Sequence, residues 1–203
     1  MNNEVAVGGK IYKSLSYPEY TDRTKIKLLS TNVNNMTESE RKLFDFTKLN
    51  LQRSLRIEKN YVTSEQIKTL VEAISTEQLW LVITEDWCGD SAQNVPHIFR
   101  IAELNPRINF RIILRDANLE LMDQYLTNGT RSIPKLIIFD HQDNEILRWG
   151  PRPKAAQDLY SKLKDEGIPK PQIYESLHKW YTLDQGKELE KEFSAILPKL
   201  ISS

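Results

Sequence analysis

The chain has 203 residues, with 28 Lys+Arg against 28 Asp+Glu and so a formal net charge of zero, which leaves no broad positive field to hold a polyanion and excludes nucleic acid as the expected main partner. Its 39% hydrophobic content is enough for a core, yet no run nears the roughly 18 to 20 apolar residues of a membrane span, and Met1 to Leu15, polar with a glycine pair, has no apolar stretch of the secretory kind. One cysteine rules out an internal disulfide and any intramolecular dithiol cycle, and fits a reducing, cytoplasmic setting.

Residues 1–36 show weak periodicity and are expected to form an irregular arm. Thr37-Glu38-Ser39-Glu40 has capping-box spacing, and a helix is predicted from there to about Lys59, with Leu43, Phe44, Leu51 and Leu55 roughly on one docking side. A second helix is predicted near Ser64, presenting Ile67, Leu70, Val71 and Ile74 at spacings of three and four. Leu79-Trp80-Leu81-Val82-Ile83 is a continuous apolar run, as in a strand covered on both faces. It leads into Glu85-Asp86-Trp87-Cys88-Gly89-Asp90-Ser91, and then a helix carries Val95, Ile98, Phe99, Ala102 and Leu104 before stopping ahead of Pro106. A strand over Ile108 to Leu114 follows, then a helix around Leu119 to Leu126 with an Asn128-Gly129 stop.

Ile133-Pro134 precedes a second dense apolar run, Leu136 to Phe139, which Asp140 to Asn144 turn into Glu145 to Trp149 as a hairpin. Gly150-Pro151-Arg152-Pro153 is expected to be a rigid strand exit. Helices are predicted over about Pro153 to Glu166, Ile173 to Tyr181 and Asp184 to Ile196, with Lys187 to Lys199 as a solvated face. The length exceeds one domain of about 100 to 150 residues and falls short of two. The expected organisation is therefore an arm and helical extension over 1–60, a core over 61–167 and a C-terminal helical extension over 168–203.

This order, with Trp-Cys at a strand-to-helix junction, resembles the thioredoxin family. Trp87-Cys88-Gly89 is similar to the first half of the family's Trp-Cys-Gly-Pro-Cys signature. Pro96 lies eight residues past the cysteine, where thioredoxins often kink the active-site helix. Arg131-Ser132-Ile133-Pro134 resembles the family's Arg-Gly-Ile-Pro with its cis-proline, and Gly150 stands where thioredoxins have a glycine before their last helix. The longer Trp-Cys-Gly-Asp-Ser-Ala string looks like a bacterial subgroup of thioredoxin-like proteins. The resemblance implies an α/β thioredoxin-like fold, a central mixed sheet flanked by helices, here with extra N- and C-terminal helices.

Three departures matter. Ser91 stands in place of the second, resolving cysteine, Asp90 in place of the active-site proline, and Val82 in place of the buried aspartate that assists proton transfer. All three missing groups serve one dithiol cycle, so internal resolution of a mixed disulfide is not available. A thiol at a helix N-terminus meets the positive end of the helix dipole and free amides, which favour the thiolate. Ser91 adds a hydroxyl donor, whereas Asp90, Asp86 and Glu85 oppose it by charge. The expected balance is a moderately activated Cys88.

Two functions follow and the residues leave both open. In the first, Cys88 exchanges with the disulfide or glutathionylated thiol of a protein or peptide partner, and an external thiol resolves it. No resident cofactor is then expected, with glutathione or another low-molecular-weight thiol as co-substrate. Cys88 and Ser91 would be catalytic, while Trp87, Gly89, Asp90, Arg131, Ile133 and Pro134 would contact the partner, Arg131 through a carboxylate. In the second, the thioredoxin surface is a redox-silent module that holds a peptide or partner protein. His97, His141 and His178 share no ligand spacing, so no metal is expected. Nothing in the residues sets the oligomeric state.

Overall fold

Side-chain caps set the first three helices. The computed structural model describes residues 3–201, so the outermost ends of the two expected extensions, 1–2 and 202–203, lie outside the described residues. Ser16 and Glu19 form a reciprocal capping box at the start of α1 (Tyr17–Ser30), and Thr37 and Glu40 form another at α2 (Glu38–Asn60). Each box gives two orphan donors of a first turn an acceptor. Ser64 caps α3 (Glu65–Glu72) by accepting from the Ile67 amide.

The region expected to be an irregular arm is ordered. It forms a hairpin of β1 (Glu4–Val7) and β2 (Lys10–Lys13), followed by α1 and a single 3-10 turn at Val33–Asn35. Strands of four residues are too short for an alternation to stand out. The signal lay in Gly8-Gly9, whose φ values of 56° and 75° suit a two-residue hairpin turn that L-residues with a Cβ adopt poorly. Val5, Val7 and Tyr12 are buried, and Leu15 pairs with Ile112 at the edge of the main sheet through two backbone hydrogen bonds of 2.7 and 2.8 Å.

The main sheet has β3 (Gln78–Thr84) and β5 (Lys135–Phe139) inside, with β4 (Ile108–Leu114) and β6 (Glu145–Trp149) outside, in the order β4-β3-β5-β6. β3 runs parallel to β4 and antiparallel to β5, and β6 closes the hairpin. Trp80, Leu81, Val82 and Ile83 are fully buried, as the run without alternation predicted. One face packs against α3, α4 (Gly89–Ala102) and α8 (Lys187–Ile201), through Ile67, Val71, Ile98 and Phe193. The other face packs against α5 (Leu119–Met122) and the N-terminal hairpin. α6 (Lys154–Asp165) and α7 (Lys170–Asp184) make a smaller core around Ala156, Ile173 and Leu177.

Three expectations about elements are corrected. α5 ends at Met122, and Asn128-Gly129, with φ of 50° and 74°, forms a tight turn between Thr127 and Thr130 in place of a helix stop. α2 docks through only part of its expected apolar side: Leu43 and Leu55 are exposed, Phe44 and Leu51 are half-buried, and the buried residues are Thr47 and Asn50. The reason is polar, since the surface beneath α2 is a buried carboxylate and backbone. α8 is not a solvated tail. Phe193 sits in the main core with its ring centroid 6.1 Å from Trp80 and 5.9 Å from Trp149, and Leu189, Leu197 and Leu200 are buried beside it.

Candidate functional site

β3 ends in a buried acidic turn that feeds directly into α4, and Cys88 is the N-cap residue of that helix. The Ile133–Pro134 peptide leading into β5 is cis, and the Cys88 thiol donates to the Ile133 carbonyl oxygen over 3.3 Å. Gly150, with φ of 107°, lies so close that a Cβ there would sit 2.3 Å from the Pro134 oxygen, so only glycine lets β6 leave past the proline turn. The strand end, helix start and proline turn therefore meet at the sulfur.

Burial works against activation of the thiol. Cys88 is 9% exposed, packed with Ile133, Ile83 and Leu121, and burial first, then the negative charge of Asp90, pushes its pKa up to about 11. The expectation of a moderately activated thiol is corrected on this point. The opposing donors are present, namely the amides of Asp90 and Ser91 and the Ser91 hydroxyl. They lose because removing a thiolate from water costs more than a partial helix charge returns. The Ser91 hydroxyl is buried and has no hydrogen-bond partner other than the Cys88 sulfur.

Asp90 does not cap α4. Its carboxylate pairs with the Arg152 guanidinium, each side chain 10% exposed, and accepts from the Tyr181 hydroxyl at 2.9 Å. Asn94 ties the group together by donating to the Asp90 carbonyl at 2.8 Å and to the Tyr181 oxygen at 3.0 Å. Arg152 also donates to Gln157 at 2.9 Å and lies 4.6 Å above the Tyr160 ring. Burial lowers the Arg152 pKa, but its bond to the Asp90 carboxylate prevails and raises it. On the same side His178 of α7 covers Gly89, where a Cβ would lie 2.7 Å from the ring. Burial, aided by the charge of Arg53, pushes the His178 pKa down to about 4, so the ring is neutral.

The N-terminal helices clamp the other side. The Asp86 side chain is 1% exposed and accepts from Lys27 at 2.8 and 2.9 Å, with Arg23 at 3.6 Å. Thr47 of α2 donates to the same carboxylate at 3.4 Å, and Asn50 donates to the Asp86 carbonyl at 3.3 Å. Burial raises the Glu85 pKa, against the pull of the Asp116 amide, which donates to it at 2.7 Å. The Trp87 indole donates to Asp116 at 3.2 Å and carries the Arg115 guanidinium 4.7 Å above its ring.

The residues singled out in the sequence thus separate. Cys88, Gly89, Asp90, Ser91, Ile133 and Pro134 come together, but all except Gly89 are buried. Trp87 is half-buried at the rim. Arg131 is exposed and its guanidinium is taken by Asp123 at 2.6 and 2.8 Å. Arg152, His178 and Tyr181 were missed. Nothing local marks them, because the first stands in a strand exit and the other two on α7, where Tyr181 is 91 residues from the Asp90 it contacts. A buried Asp90 in need of a counter-charge was the only available hint. Among the described residues no group of three or more His, Cys, Asp or Glu could hold a metal ion, and no helix is long and apolar enough to cross a membrane.

A family model described as thioredoxin matches residues 36–164. No curated protein matches the chain. Among solved structures, the crystal structure of an HIV epitope-scaffold superposes with a TM-score of 0.51 at 19% identity, over 93% of this chain and 99% of that one. A protein of unknown function from Pseudomonas aeruginosa gives 0.46 at 19% identity, over 85% and 99%. The first of these likenesses shows the fold, and the family match covers more than half of the chain and takes in β3, α4 and the proline turn. The chain, built on a thioredoxin-like core with added helices at both ends, belongs to the thioredoxin family.

Proposed function

We propose that this protein is a redox-silent thioredoxin-fold binding module, and that Cys88 is a packing residue at the hub of the module. The observation that carries the reading is the buried Cys88 sulfur, spent on the Ile133 carbonyl at 3.3 Å in a pocket that favours the neutral thiol. Nucleophilic sulfur chemistry needs an accessible thiolate, and both are withheld here. The helical additions support the same reading, since Tyr181 from one end, beside Arg152 of the core's strand exit, and Lys27 and Thr47 from the other hold Asp90 and Asp86. Partner contact falls to what stays on the rim, Trp87 and Gly89, with Arg131 beside its own Asp123.

The monothiol reading keeps one specific support. The buried Ser91 hydroxyl, with no partner but the Cys88 sulfur, is a donor that a thiolate would satisfy, so a transient opening that admits a disulfide would find part of the stabilisation in place. Cys88 would then attack one sulfur of a partner's disulfide, expelling the other as thiolate, and an external thiol would attack the sulfur bonded to Cys88, freeing Cys88 as thiolate and leaving that sulfur disulfide-bonded to the external thiol. Pull-down of partners with the native chain and with Cys88→Ser separates the two. Equal recovery, with no thiol turnover above the variant, supports the module. Loss of every partner in the variant, or turnover that needs Cys88, overturns it.

A further inference from the structure

A groove of about 400 Å³ runs between α2 and α7 and reaches the start of α4. Arg53, Arg56 and Lys179 line it together with His178, Gln52 and Gln93, and no carboxylate is among its lining residues. Arg53 donates to the neutral Asn50 amide at 3.0 Å, and among the described residues none of the three cations lies within 4.0 Å of a carboxylate oxygen. Nearby acids make their hydrogen bonds elsewhere, and one of them is charge-paired. Asp90 belongs to Arg152 and Tyr181, Glu190 accepts from Tyr61 and the Ser64 amide, and Asp184 accepts from the Gly186 and Glu188 amides.

No carboxylate lines the groove itself, and the nearest acids around Arg56, Asp184 and Glu190, face the adjoining pocket. Arg53 is half-buried and its pKa is lowered by burial first and then by the charge of Arg56. Its own charge in turn helps to keep His178 neutral. Like charges converging on a concave wall focus a positive potential even on a chain of zero net charge. An oxyanion in the groove would relieve both repulsions and meet forked guanidinium donors, an ammonium and the amide of Gln52. That donor set exceeds what one carboxylate can accept and suits the larger acceptor count of a phosphate.

We propose that the α2–α7 groove binds a small phosphate-class anion. The site is independent of what Cys88 does and of any partner at the Trp87 rim. Pyrophosphate is the probe, titrated calorimetrically into the full chain at constant ionic strength and near-neutral pH, with succinate as the carboxylate comparison. Saturable pyrophosphate binding is expected, weakened by about tenfold in Arg56→Gln and in Lys179→Gln, each losing one charge-assisted contact. Both side chains are exposed, so the variants should melt as the native chain does. NMR titration of His178 should show its pKa rising when pyrophosphate is present, because the anion offsets Arg53. Absence of saturable binding in the millimolar range, undiminished binding in both variants, or succinate binding as tightly as pyrophosphate would each overturn the proposal.

Discussion

Alkylation of Cys88 as a function of pH tests the buried-thiol argument directly. With a pKa of about 11, about one thiol in ten thousand is ionised at pH 7, against about 3% for free cysteine at about 8.5. Ionisation alone therefore slows reaction by about 300-fold. A more basic thiolate is more nucleophilic, with a Brønsted slope of about 0.4 to 0.5, which returns about 10- to 20-fold. The net expectation is a rate about 20 to 30 times below that of a free thiol before any steric shielding, and burial of the sulfur lowers it further. Iodoacetamide kinetics followed by intact mass, from pH 6 to 10, should show a rate still rising at the alkaline end. An inflection below pH 8.5, or a rate at pH 7 at or above that of a model thiol, would refute the reasoning and restore an active nucleophile.

Asp90→Asn leaves the Arg152 guanidinium buried without its counter-charge and should cost about 3 to 5 kcal/mol in denaturant unfolding, much of which the paired Asp90→Leu, Arg152→Leu change should return; an additive cycle would contradict the pairing. Gly150→Ala must place a Cβ at 2.3 Å from the Pro134 oxygen with φ at 107°, so a loss of about 4 kcal/mol or failure to fold is expected, read by circular dichroism. His178 titrates at about 4 when folded and near 6.5 when unfolded. A depressed folded value supplies stability above the unfolded pKa that is lost as pH falls through the folded one, so stability should decline between pH 6.5 and 4 by at most about 3 kcal/mol, less for a partly exposed ring. His178→Gln should flatten that slope, and an unchanged slope would place the titration elsewhere.

Local signals in the chain were enough for the helix starts at Thr37 and Ser64, the two fully covered strands and the hairpin at Asp140 to Asn144. Each rests on neighbours in sequence: a capping spacing, a continuous apolar run, or turn residues between two such runs. The short hairpin at Gly8-Gly9 escaped because four-residue strands carry almost no period. The burial of Thr47 and Asn50 escaped because polar docking has no apolar stripe to betray it.

Placement of Cys88 between a strand end, a helix start and a proline turn was legible from motif and order alone, since those elements adjoin it in the chain or follow in a fixed topology. Its chemical character was not. Whether a thiol ionises depends on how much water and charge reach it, and here that is set by Asp90 and by apolar packing from β3, α5 and the proline turn. Likewise, the counter-charge of Asp90 comes from Arg152, 62 residues on, and the cations of the α2–α7 groove converge only once two helices have docked. The sequence by itself determined which residues stand at the turn, because that follows from contacts short along the chain. Only the tertiary structure decided that the turn is closed, because desolvation and ion pairing depend on distance in space.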